Sequence, residues 1–187
     1  MKNQNFFDNY KLVIIDLIKK INTKDLKQAF IEINLTSKRK GKVIVFGNGA
    51  NTSTSSHFAT DMTKNGKIRT ISLNDPNLIT CFSNDYGFER WIEKAIEYYA
   101  DKNDLVILLS ASGNSKNLVN AAKYCRKNNI KTLSITGFNK KNKLQKLTNK
   151  KIFINSKGYN LVEIIQNIIL LSLVDKKIGK TIYSSNL

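Results

Sequence analysis

The sequence predicts an α/β fold: a three-layer α/β/α sandwich around a parallel five-stranded sheet, preceded by a pair of helices. Three observations predict it. From residue 41 onward, short runs rich in β-branched residues alternate with stretches of helical periodicity, the pattern of parallel strands joined by helical crossovers. Two of the runs end in polar, glycine-bearing turns, Gly47-Asn48-Gly49-Ala50-Asn51-Thr52-Ser53 and Ser110-Ala111-Ser112-Gly113-Asn114-Ser115, each leading into a helical pattern. The first forty residues carry helical spacing alone.

Taken in order, Phe7, Tyr10, Leu12, Ile14, Ile15, Leu17, Ile18 and Ile21 form a wide apolar face at helical spacing. Thr23 is expected to cap a second helix carrying Leu26, Ala29, Phe30, Ile33 and Leu35. Both helices precede the sheet and read as packing elements for a partner subunit. Strands are expected over 42–46, 68–71, 105–109, 132–135 and 151–154. Helices are expected over 52–64, 88–99 and 117–128, with a last one over 160–177. Residues 140–149 read as a polar connection. No linker, repeat or low-complexity segment divides the chain, so the reading is one domain: helices over 1–40, an α/β core over 41–157, and a C-terminal helix and tail over 158–187.

At 187 residues and 41% hydrophobic content the chain is long and apolar enough to bury a core. No apolar run approaches the ~20 residues that span a bilayer, and the N-terminus lacks the apolar stretch of a signal peptide. Cys81 and Cys125 are the only cysteines, too few for a disulfide framework or a zinc knuckle. These features read as cytoplasmic. The formal charge of +17 invites a nucleic-acid reading. The basic residues are nearly all scattered lysines, however, with arginine only at 39, 69, 90 and 126, whereas readers of bases and phosphates lean on the arginine fork. The charge reads instead as a solvated surface that draws in anionic metabolites, with no nucleic acid and no membrane as partner.

The two turns carry the chemistry. Each lies between the carboxyl end of a strand and the start of a helix, where orphan N–H groups and the positive end of the helix dipole meet whatever sits there. Ser110, Ser112 and Ser115 add short O–H donors. A phosphate group fits such a corner, although Ser and Asn are also the favoured capping residues. The first turn is no dinucleotide fingerprint, because its third glycine is absent, and it lacks the lysine of a P-loop. Two polar turns at one sheet edge can converge on one ligand.

Five motifs then occur in order: Phe46-Gly47-Asn48-Gly49; His57-Phe58-Ala59; Ser83-Asn84-Asp85-Tyr86-Gly87-Phe88-Glu89; Ser110-Ala111-Ser112-Gly113-Asn114-Ser115; and Ile135-Thr136-Gly137. The set resembles the sugar isomerase (SIS) fold, flavodoxin-like in its layers, and within it the phosphoheptose isomerases, over roughly residues 5 to 177. The resemblance implies a homotetramer built around the N- and C-terminal helices. It implies an aldose–ketose isomerase that converts sedoheptulose 7-phosphate to D-glycero-D-manno-heptose 7-phosphate. Such a reaction needs a base for the proton beside the carbonyl, an acid or electrophile at the carbonyl oxygen, and a phosphate clamp. The family's clamp maps onto Ser110, Ala111, Ser112 and Ser115 and onto Asn48, Gly49, Asn51 and Thr52. Asp85 matches an acidic residue that approaches the substrate.

The departures are specific. The family's helix after the first turn carries a His and, four residues on, a Glu; here these are His57 and Asp61, on one helical face. Its usual Ser in the first turn is Asn51 here. Glu163 aligns with a Gln or Glu early in the last helix, but the His expected eight residues later falls on Leu171, or Leu170 one register away. His57 is the only histidine. His57, Asp61 and Glu163 are the expected catalytic residues, and they could supply three ligands of a catalytic zinc with an open position. Each also has a plainer reading. His57 could be a packed histidine, Asp61 a solvated helix residue, and Asp85 a cap for the helix near Phe88. Tyr86, Phe88 and Trp91 read as packing, and Cys81 and Cys125 as inert. Glu163 sits on a mostly apolar helix, where an unpaired buried carboxylate is expensive, so it is expected to face the site or a cation. The missing second imidazole keeps open an alternative: a non-catalytic, sugar-phosphate-binding regulatory protein resembling the DnaA initiator-associating protein.

Overall fold

A computed structural model describes residues 5–183. Its elements run α1 (Phe6–Lys19), α2 (Thr23–Lys38), β1 (Val43–Gly47), α3 (Ala50–Lys64), β2 (Thr70–Ser72), α4 (Pro76–Tyr86), α5 (Trp91–Tyr99), β3 (Leu105–Ser110), α6 (Lys116–Lys127), β4 (Lys131–Thr136), α7 (Lys143–Leu147), β5 (Lys150–Phe153) and α8 (Tyr159–Ile178). The five strands form one parallel sheet in the order β2-β1-β3-β4-β5. The expected sheet is therefore present, with strand ends displaced by one or two residues.

Burial explains which runs became central strands. Every residue of β1 and β3 is buried, as befits parallel strands covered on both faces. The edges are short: β2 has three residues, and β5 opens on Lys150 and Lys151, charges that discourage further strand pairing. Alternate side chains divide the core. Val43, Val45, Leu105, Ile107 and Leu109 pack with α2, α3 and α8 through Ile33, Phe58, Met62, Ile165 and Ile169. Ile44, Phe46, Val106 and Leu108 pack on the other face with α5 and α6 through Ile92, Ile96, Leu118 and Ala122.

Three readings change. Asn22, not Thr23, caps α2, its side chain accepting from Lys24 N at 2.8 Å. The stretch before Phe88 contains a helix of its own, α4, opened by the Asp75 cap with Pro76 in the first turn. Asp85 lies in the last turn of α4 and caps nothing downstream, and the next helix starts at Trp91. The polar connection over 140–149 contains the short α7, capped by Asn142.

Helix α1 is only lightly attached. Leu17 is its one buried residue, while Phe7 is 68% and Leu12 54% exposed. Trp91 is buried as the packing reading expects, whereas Phe88 lies exposed. Cys125 is buried, and burial pushes its thiol up to about 12; Cys81 is exposed rather than packed. No helix among the described residues is long and apolar enough to cross a membrane.

Candidate active site

After β1 the chain crosses to β2 on one side, and then passes back to β3 on the other. The gap between β1 and β3 is thus the switch point, where open parallel sheets bind ligands beyond their carboxyl ends. Gly47 pairs with Leu109 across it. Both polar turns therefore open at the same place, which their sequence separation could not establish.

The first turn needs its glycines. A Cβ on Gly47 would fall 2.4 Å from the Asn51 Cβ, so only glycine lets α3 start this close to the strand. Gly49 takes a left-handed φ of 58° and caps α3 without any side-chain bond to the helix amides. In the second turn, Ser110 is almost wholly buried and accepts from Gly113 N at 3.0 Å, with Ser115 Oγ 3.3 Å away. Ser112 accepts from Asn114 N at 3.2 Å. Ser115 caps α6, again with no side-chain bond to its amides. Two helix N-termini without side-chain caps, and three hydroxyls, thus meet at one sheet corner, an arrangement suited to an anion.

A residue that the sequence reading missed joins the turns. Asn117 and Asn48 exchange amide hydrogen bonds of 2.9 and 3.0 Å across the switch point. Asn48 therefore serves as a strut between turns, with its side-chain amide engaged. The only hint in the sequence is a polar residue at a position of α6 that faces the interior; Asn117 is 2% exposed. Asn51 is buried, and its Oδ1 has no hydrogen-bond partner among the described residues. The Thr52 hydroxyl turns back to Gly47 O at 3.4 Å. Ala111 is buried, its carbonyl accepting from Gly137 N.

Along α3, Ala50, Thr54, His57 and Asp61 follow at helical spacing. His57 Nε2 and Asp61 Oδ2 stand 3.2 Å apart, with the imidazole about half exposed. Helix α8 runs beside α3 in the same direction: Ala50 and Thr54 adjoin Asn160 and Glu163, while Gly66 lies against Lys177. Between the helices' starts and Tyr10 of α1 opens a groove of about 310 Å³, with Glu163 in its wall. The half-buried Glu163 thus faces a cavity rather than the core, as its cost of burial requires. Leu170 is fully buried and Leu171 half-buried, so neither leaves an unmet polar group.

The zinc set does not form within the chain. Among the described residues no three His, Cys, Asp or Glu side chains gather closely enough to hold a metal. His57 and Asp61 pair with each other, and Glu163 lies apart in its groove, so the three do not fit a common ion. Asp85 keeps to its own helix, 3.0 Å from Asn84 Nδ2 and 3.7 Å from Cys81 Sγ. A further group absent from the sequence reading is Tyr183, which donates to Asp175 Oδ1 at 3.0 Å. That hydrogen bond, then burial, then the charges of Asp175 and Asp61 hold its phenol above the usual tyrosine range.

This geometry defines a class, the parallel α/β proteins that present a hydroxyl- and amide-lined corner to an anionic ligand at their switch point. The SIS domain family model matches residues 5–137, and the chain belongs to the SIS domain family. It is 39% identical over 108 residues to the phosphoheptose isomerase of Helicobacter pylori (strain HPAG1), covering 54% of this chain and 56% of that protein. It is 33% identical over 123 residues to the phosphoheptose isomerase of Glaesserella parasuis serovar 5, covering 62% and 63%. The matches thus span little more than half the length of these curated relatives. Among solved structures, the Neisseria gonorrhoeae phosphoheptose isomerase superposes with a TM-score of 0.85 at 20% identity, covering 92% of this chain and 97% of that one. The Francisella tularensis phosphoheptose isomerase gives 0.85 at 22% identity, covering 96% and 100%. The expected fold is the one these proteins have.

Proposed function

We propose that the chain is an aldose–ketose isomerase of a heptose phosphate, interconverting sedoheptulose 7-phosphate and D-glycero-D-manno-heptose 7-phosphate. The observation that carries this reading is the pair of turns held together by Asn48 and Asn117, opening beside the α3–α8 seam where a carboxylate and an imidazole–carboxylate pair project. The phosphate sits against Ser110, Ser112, Ser115 and the first amides of α3 and α6. The sugar then extends past Ala50 and Thr54 toward Glu163. Glu163 removes the C1 proton of the ketose. His57, oriented by Asp61, supplies the proton that the carbonyl oxygen takes up, giving an enediol. Return of the proton to C2, with loss of the O1 proton, yields the aldose. No step is assigned to a metal, because the described residues do not assemble a site.

Incubation with sedoheptulose 7-phosphate in D₂O, followed by NMR, tests the reading. Aldoheptose formation with deuterium entering at C1 or C2 is expected. Binding without turnover or exchange would turn the reading to the regulatory, sugar-phosphate-binding protein. No binding at all would remove both.

The same reading includes self-association, in the tetramer that the family resemblance implies. What supports it is the apolar surface left open on α1 and α8, where Phe7, Leu12, Ile15, Ile164 and Ile168 lie exposed, an extent that monomeric proteins seldom leave bare. Light scattering is expected to give a mass near four times that of the chain; a monomer at micromolar concentration would reject this part. The compartment is taken to be the cytoplasm, where free thiols such as Cys81 and Cys125 persist.

A further inference from the structure

The hydroxyls of the second turn are held by their own backbone: Ser110 by Gly113 N and Ser112 by Asn114 N. Whatever fixes Gly113 and Asn114 therefore fixes the hydroxyls. Three contacts do so, all from the start of α7. Leu144 N donates to Gly113 O at 3.1 Å, and Lys143 N donates to Asn114 Oδ1 at 3.1 Å. The Asn142 side chain lies directly beneath Gly113, where an added Cβ would come within 2.2 Å of the amide. Gly113 also has a left-handed φ of 67°, so the turn can pass over Asn142 only with glycine there.

Asn142 is in turn immobilised. It is 3% exposed, donates to Thr136 Oγ1 at 2.9 Å and Asn139 O at 2.7 Å, and accepts from Gln145 N at 2.9 Å. A polar side chain buried this completely, with donors and acceptor all engaged, makes a stiff support. We propose that the start of α7 is a brace for the anion-receiving turn, with Asn142 and the Lys143 amide as positioning residues for phosphate recognition. The proposal rests on the phosphate reading of Ser110 and Ser112. It gives α7 a role beyond joining β4 to β5: to keep two hydroxyls oriented before the ligand arrives, which lowers the ordering cost of binding.

Lys143→Pro tests the brace with little risk to the fold. Lys143 is the first residue of α7, the helix position proline favours. Asn142 before it has φ −63° and ψ 167°, the extended conformation a residue preceding proline adopts. The variant deletes the Lys143 N–H bond to Asn114, and Lys143→Ala controls for the lost charge. With K143P, the Kd for inorganic phosphate and the KM for sedoheptulose 7-phosphate are expected to rise about 3- to 10-fold, the range one hydrogen bond covers. The kcat and Tm are expected to stay near wild type, a split that a general loss of stability would not give. Amide exchange at Gly113 and Asn114 is expected to quicken in the unliganded protein, with K143A like wild type in both respects. Unchanged exchange and unchanged affinity in K143P would overturn the brace. A wild-type protein that binds neither probe at millimolar concentration overturns the phosphate reading instead, and amide exchange then decides the mechanical claim alone.

Discussion

Replacing Ser110 and Ser112 together by alanine is expected to weaken binding of sedoheptulose 7-phosphate about 100-fold or more, with a parallel rise in KM and a smaller fall in kcat. A hydrogen bond to a charged group contributes about 1.5–3 kcal/mol, or roughly 10- to 100-fold per hydroxyl. The two effects will not simply add, since both hydroxyls belong to one turn. The single variants separate them. Ser110 is 4% exposed, and its Oγ is the acceptor for Gly113 N. At the proposed phosphate site Ser110→Ala would remove a ligand contact, and it also strands a buried amide, which costs about 1–3 kcal/mol by itself. Ser112 is half-exposed, so water can replace it as the acceptor for Asn114 N. S110A is therefore expected to lower both Tm and affinity, and S112A affinity alone. Calorimetric titration with inorganic phosphate and with the sugar phosphate provides the check. Affinity that survives in the double variant would place the ligand elsewhere.

How much of this was legible in the sequence varies with the length scale of the cause. The buried strands announce themselves because a parallel strand covered on both faces must be a continuous apolar run, and Leu105 to Leu109 can be little else. The glycine turns are legible because local backbone geometry demands them at Gly49 and Gly113. Helix α7 has five residues, too few to display a period, and α4 declares itself only through its Asp75-Pro76 start signal, since none of its residues is buried to mark an apolar face. The Asn48–Asn117 strut joins residues 69 apart in the chain, and only the strand order brings them together. The same limit governs the zinc set. The spacing of His57 and Asp61 follows from one helix, but the place of Glu163 relative to them depends on how α8 lies along α3. That register is set by packing at Phe58, Met62, Ile165 and Ile169, and no local pattern records it.

Glu163→Gln is expected to lower kcat by about 10²- to 10⁴-fold, the contribution of a positioned general base, while leaving the Kd for the sugar phosphate within a few fold. Glutamine keeps the length and hydrogen-bonding shape of the side chain but cannot take a proton. The flanking residues make the position informative: Val162, Ile165 and Gln166 are fully buried, so α8 itself should be undisturbed by a change on its groove face. Deuterium exchange distinguishes the roles assigned to the two carboxylates. If Glu163 is the base, E163Q stops exchange at the carbons together with turnover. In the proposed mechanism Asp61, which touches the imidazole rather than the groove, acts through His57. Asp61→Asn is therefore expected to slow turnover by misorienting the ring, while some carbon–deuterium exchange persists. The reverse pattern, exchange lost in D61N and kept in E163Q, would transfer the base to Asp61 and leave Glu163 as a binding group. A wild-type rate in both variants would mean that the proton is handled by neither carboxylate. The chemistry would then have to be sought elsewhere along the helices, and the Tyr183–Asp175 hydrogen-bonded pair toward the end of α8 is the group to test next.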